Sequence, residues 1–150
     1  MNKVKPAIIL LVEDDPGSQE LTRRALNEGK VCNELRIVGN GEEALAYLFR
    51  RGKYKDPATS PRPDLLLLDL NLPRVDGREV LGQIRADSKL RRMAVVVLTA
   101  SRQEEDILLS YELGCNSFIP KPADMNQFIQ VIQALEKYWL QIAVLPPRTE

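Results

Sequence analysis

Five side chains scattered along this 150-residue chain are of the types that phosphoryl chemistry uses: Glu13, Asp14, Asp69, Thr99 and Lys121. Three carboxylates in one pocket repel each other, and a hard divalent cation bound by oxygen relieves that repulsion. Mg²⁺ is the natural candidate, with Mn²⁺ or Ca²⁺ possible in the same site. With the cation on one side and the Lys121 ammonium on the other, Asp69 can attack an incoming phosphoryl group. The equatorial oxygens of that group would be neutralised by the cation, the ammonium and the Thr99 hydroxyl, and the product would be an acyl phosphate. Each residue alone has a plainer reading; Asp69, for instance, could merely cap the next loop. The argument rests on all of them following predicted strands.

Asp69 ends the run Asp64-Leu65-Leu66-Leu67-Leu68-Asp69. Four leucines are too few for a helix core but suit a strand covered on both faces, the centre of a parallel sheet. Glu13 and Asp14 follow the β-rich run 7–12, Thr99 closes 93–99, and Lys121 comes just after 117–119; a shorter strand is expected at 35–38. Between these runs lie helix signals. Asp15-Pro16 opens a helix reaching Glu28, with Gly29 beyond it. Asn40-Gly41-Glu42-Glu43, Asp76-Gly77-Arg78-Glu79 and Ser101-Arg102-Gln103-Glu104 each pair an acceptor with a glutamate three residues on. Asp124 caps a last helix in which Phe128, Ile132, Leu135, Trp139 and Ile142 recur at helical steps. Residues 50–63 hold three prolines, a glycine and several cations, and read as a long exposed loop.

Five strands alternating with five helices predict an α/β fold, a parallel sheet with helices on both faces. Ligands of such sheets bind beyond the carboxyl ends of the strands, where the candidate residues fall. The length suits one domain, residues 1–150, with 140–150 as a tail. Lys plus Arg and Asp plus Glu both number 21, so no global charge draws the chain to nucleic acid or a membrane. The apolar runs are too short to span a bilayer, and the first residues do not read as a signal peptide, so a cytoplasmic location is expected. Histidine is absent, which removes Ser-His-Asp and Cys-His catalysis. Cys32 and Cys115 make neither a disulfide framework nor a zinc site.

Val12-Glu13-Asp14-Asp15, Leu68-Asp69-Leu70-Asn71-Leu72-Pro73 with Asp76-Gly77, Leu98-Thr99-Ala100 and Lys121-Pro122 resemble the motifs of response regulator receiver domains, in order and spacing, over nearly the whole chain. The resemblance implies a flavodoxin-like three-layer (βα)5 fold with strand order 2-1-3-4-5. It implies that Asp69 accepts a phosphoryl group from a phosphohistidine on a sensor histidine kinase. Asp14 would bind the metal directly, Glu13 mainly through water, and Asn71 by its backbone carbonyl. Thr99 would be the switch hydroxyl, Ala100 the small residue that leaves room for phosphate, and Lys121 the phosphate-binding lysine. The Lys121–Pro122 bond is expected to be cis. The switch aromatic is Phe118, without the hydroxyl of the commoner tyrosine, and Pro120 before the lysine is unusual.

Gly52-x-Tyr54, Pro61-Arg62-Pro63-Asp64, the ending Tyr138-Trp139-Leu140 and Leu145-Pro146-Pro147 look like the stand-alone regulators paired with cyanobacterial and bacterial phytochromes, which implies a phytochrome as the kinase. The few residues after Trp139 leave no room for a DNA-binding effector, so output is expected through protein contacts. A phosphatase of the haloacid dehalogenase type would need a second acid where Asn71 stands. A nucleotide or flavin module would need a glycine-rich loop after the first strand. A degenerate receiver that binds partners without being phosphorylated is the non-enzymatic alternative, although such domains usually lack one of the key residues present here. Surplus apolar residues from Phe128 onward predict a homodimer through Phe128, Ile132, Leu135, Trp139 and Ile142; the other reading is a tail folded over its own core.

Overall fold

The leucine run forms the middle of a five-stranded parallel sheet. The computed structural model describes residues 6–29 and 31–147; the first residues and 148–150 of the expected tail lie outside it. Strands β1 (Ala7–Val12), β2 (Asn33–Val38), β3 (Leu65–Leu68), β4 (Ala94–Thr99) and β5 (Ser117–Pro120) stand in the order 2-1-3-4-5. They alternate with α1 (Pro16–Glu28), α2 (Gly41–Leu48), α3 (Gly77–Ala86), α4 (Glu104–Glu112) and α5 (Met125–Lys137). This is the flavodoxin-like α/β architecture the motifs imply.

Side-chain alternation splits the leucines between two cores. Leu66 and Leu68 pack with Leu10, Val12, Val95 and Val97 against α2 and α3. Leu65 and Leu67 pack with Ile9, Leu11, Val96 and Leu98 against α1 and α5. All four leucines are at most 1% exposed, and each fully buried leucine contributes roughly 1.5–3 kcal/mol.

Most helix starts follow the cap signals. Asp15 accepts from Ser18 N at 2.8 Å, Asn40 from Glu43 N at 2.7 Å, and Asp124 from Gln127 N at 2.9 Å. Asp76 caps α3 one residue earlier than a capping box would, accepting from Arg78 N at 2.8 Å. The expected box at Ser101 does not form: α4 begins at Glu104 without a side-chain cap, and the Ser101 hydroxyl donates to Asp106 while accepting from Gln103 N at 3.3 Å. Three acids in the first turn of α4 favour that start by complementing the helix dipole. The loop at 50–63 contains one 3₁₀ turn, Gly52–Tyr54.

The C-terminal end corrects the expected helical stripe and the expected subunit contact. The α-helix stops at Lys137, and Tyr138–Ile142 forms a wider π-helical turn closed by Ala143 N on Tyr138 O at 2.7 Å. The extra residue in that turn breaks the helical stripe: Trp139 and Leu140 pack partly on the core, whereas Ile142 is 62% exposed. Phe128, Ile132 and Leu135, expected at a subunit contact, are instead buried against the sheet. α5 shares with α1 the covering of a fully apolar sheet face and needs those residues for that core.

A further correction is at Pro122. No cis peptide bond occurs among the described residues, so Lys121–Pro122 is trans. The ladder continues past β5 through Lys121 N on Thr99 O at 2.7 Å, so the chain leaves extended and the usual trans preference is unopposed.

Ile132 is 1% exposed, so Ile132→Ala is expected to lower the unfolding free energy by about 2–5 kcal/mol in urea titration. An unshifted midpoint would put this side chain outside the core.

Candidate phosphoryl-transfer site

The strand order brings the five candidate residues to one edge of the sheet. β1 and β3 are neighbours, with Val12 in register with Leu68, so Glu13 and Asp69 follow side by side. β4 flanks β3 and ends in Thr99, and β5 flanks β4 with Pro120 opposite Thr99. Pro120 is tolerated because it is the last residue of an edge strand. Phe118 on the same strand donates its N–H to Tyr111 Oη at 3.2 Å and packs its partly buried ring on the α2–α3 core.

Glu13, Asp14 and Asp69 each offer a carboxylate oxygen within 4.8 Å of the others. Glu13 and Asp69 are buried, while Asp14 faces solvent. Lys121 lies against both buried acids, ion-paired with Glu13 and 3.4 Å from Asp69 Oδ2. Glu13 is further fixed by Asp15 N, which donates to Oε2 at 3.1 Å, and by Gln19 Nε2 on its carbonyl at 2.6 Å. Burial pushes the Glu13 carboxyl up to about 7; the hydrogen bond and charge of Lys121 oppose the shift, and the charge of Asp69 adds to it.

Two buried oxygens in this pocket have no partner: Asp69 Oδ1 and Thr99 Oγ1. Buried polar atoms are nearly always satisfied, so a pair of orphans beside three acids fits a site made for a bound group. The donor set is all oxygen, which suits Mg²⁺, Mn²⁺ or Ca²⁺ and not a softer ion. Glu13, Asp14 and Asp69 would hold the cation.

The remaining expected residues surround the pocket. Asn71 is exposed at the crest of a tight turn closed by Leu72 N on Leu70 O at 3.1 Å. Ala100 is exposed just after Thr99. Trp139 and Ile142 lie at the C-terminal turn and take no part.

Sequence reasoning named Gly77 only as part of a motif and gave it no role. A Cβ there would run into the carbonyl of Asp69, and Gly77 N donates to Leu70 O at 2.8 Å, so the start of α3 is packed onto the acceptor loop. A glycine directly after an N-cap signal was the available clue. The contacts of Arg78 and Ser101 with Asp106 were also missed, since no local pattern pairs residues so far apart.

Known proteins resemble this chain in both sequence and fold. Residues 9–133 match the family model described as the response regulator receiver domain. The response regulator Rcp1 of Synechocystis sp. is 42% identical over 141 residues, covering 94% of each chain. The crystal structure of the phosphorylated cyanobacterial phytochrome response regulator RcpA superposes with a TM-score of 0.90 at 45% identity, over 95% of this chain and all of that one. The Mn²⁺-bound form of Rcp1 gives 0.89 at 42%, over 95% of this chain and 100% of its own.

The folded-state value for Glu13, about 7, lies above the 4.5 of a free carboxyl. The metal-free native chain therefore holds more protons on this group than the unfolded chain between those values. Its contribution to stability is full below the lower value and is lost as pH rises through the upper one. Glu13→Gln is expected to remove that decline, measured as the difference between wild-type and variant urea midpoints from pH 4.5 to 8. Parallel curves would contradict it.

Proposed function

The chain belongs to the response regulator receiver family, and on that footing we propose that Asp69 takes a phosphoryl group from a phosphohistidine of a sensor histidine kinase. The observation that carries this reading is the division of labour on Asp69. Its Oδ2 is held by Lys121, and its Oδ1 is buried with no partner, as is the Thr99 hydroxyl at the end of the neighbouring strand β4. In the transfer, an Asp69 oxygen forms a bond to phosphorus as the phosphorus–nitrogen bond breaks. The electron pair returns to the imidazole, which takes up a proton.

Lys121 stabilises the charge on the transferring oxygens, and the Thr99 hydroxyl donates to one of them. A divalent cation, Mg²⁺ by our reading, would supply the rest of the neutralising charge when held by Glu13, Asp14, Asp69 and the Asn71 carbonyl. Little covalent work is left to the protein, so the chain is a phosphoacceptor that assists its own reaction rather than an enzyme acting on other substrates; autodephosphorylation by water follows from the same site.

The switch we assign is a population shift. Drawing Thr99 toward the phosphoryl group frees space that Phe118 can enter, which remodels the surface around α4 and β5. Output passes to protein partners, consistent with a net charge of zero. Among the described residues no helix is long and apolar enough to cross a membrane, and the reading assigns the protein to the cytoplasm. Kinship with phytochrome response regulators supports a phytochrome as the donor. Residues 1–150 form one domain in this reading, and Trp139 with the exposed Tyr138, Ile142 and Val144 forms the homodimer contact.

Incubated with acetyl phosphate and Mg²⁺, the protein should gain one phosphate by intact mass, and Asp69→Asn should gain none. Undiminished label in that variant would remove Asp69 as acceptor. Among autophosphorylated kinases, a phytochrome kinase should lose its phosphate to this protein fastest.

A further inference from the structure

Asp106, in the first turn of α4, uses both carboxylate oxygens on other elements. Its Oδ1 accepts from Arg78 Nη2 of α3 at 2.6 Å, and its Oδ2 accepts from the Ser101 hydroxyl at 2.5 Å. The other guanidinium branch of Arg78, Nη1, donates to both oxygens of Asp76 at 3.0 and 2.9 Å. The Arg78 and Asp106 side chains are only 24% and 16% exposed, whereas the solvent pair Arg23–Glu20 is 48% and 70% exposed. The Ser101 hydroxyl and the Arg78 guanidinium together hold the Asp106 carboxyl below its usual range. These contacts are thus charge-assisted and partly desolvated.

The weak packing of α4 gives the contacts their weight. Ser110 is its only buried residue, and Leu108, Leu109 and Tyr111 face solvent. Apolar burial therefore does little to fix where α4 begins. The polar tie also spans the site: one end, Asp76-Gly77-Arg78, is packed on the carbonyl of Asp69, and the other, Ser101, lies two residues beyond Thr99.

We infer that Arg78, Asp106 and Ser101 form a latch that holds the loop after Thr99 against the start of α3 and so limits the access of water to a phosphoryl group on Asp69. The inference rests on the acceptor reading above. In hydrolysis a water oxygen bonds to phosphorus, the bond to the Asp69 oxygen breaks, and the water proton leaves to solvent, giving free phosphate and the Asp69 carboxylate. The latch residues touch none of these atoms. They act by position, through the two loops that border them.

The test uses the full chain labelled with acetyl phosphate and Mg²⁺, then freed of donor, with decay of the label followed by intact mass. Asp106→Ala and Arg78→Ala are expected to shorten the lifetime roughly 3- to 30-fold while changing the rate of uptake by less than about twofold. The double variant should decay no faster than the faster single one, because both remove the same tie. Asp106→Asn, which keeps an acceptor, should fall between. Ile132→Ala serves as a control destabilised far from the loops. A wild-type lifetime in Asp106→Ala, or an equally short lifetime in Ile132→Ala, overturns the latch and leaves the acceptor reading intact. Absence of label on wild-type Asp69 removes the acceptor reading and the latch with it.

Discussion

The site depends on one long side chain crossing the sheet edge to meet two buried acids. Lys121 follows β5, yet its ammonium pairs with Glu13 after β1 and lies 3.4 Å from Asp69 after β3. Adjacent strands are about 4.8 Å apart, so the span from β5 to β3 is roughly 10 Å and passes over the end of β4. The long lysine stem covers part of that span and the side chains of the two acids cover the rest. Burying Glu13 and Asp69 without this cation would leave charges that cost several kcal/mol each to desolvate (~). Strand order, side-chain length and charge are therefore linked.

That link also leaves the pocket deliberately incomplete. One oxygen of Asp69 and the Thr99 hydroxyl stay unpartnered at the ends of two strands that are paired in register. The loop between Thr99 and α4 leads into a helix with a single buried residue and is tied through Asp106. A stiff frame that presents reactive atoms beside a lightly held segment can be biased by small changes in charge.

Much of this was readable from residues. The leucine run gave β3, its two-sided burial and the place of Asp69, because a strand of that composition suits only the middle of a covered sheet. The caps at Asp15, Asn40, Asp76 and Asp124 marked helix starts, since an acceptor next to free backbone N–H groups is a local interaction. Ser101 misled because the helix starts later than its cap signal, at Glu104, leaving the hydroxyl to Gln103 N and Asp106. The stripe from Phe128 to Ile142 misled because a helix period continues on paper through a turn that the folded chain widens. In each case a contact made only after folding outweighed a pattern confined to neighbours.

The β5 margin of the sheet has a further property. Since Lys121 N points toward β4, the backbone nitrogens of residues 118 and 120 point the other way, to the free side. Phe118 spends its N–H on Tyr111, and Pro120 has none to offer. A stray extended peptide arriving at this border would find no amide hydrogen on residues 118 and 120, so templated growth of the sheet there lacks the donors it would need.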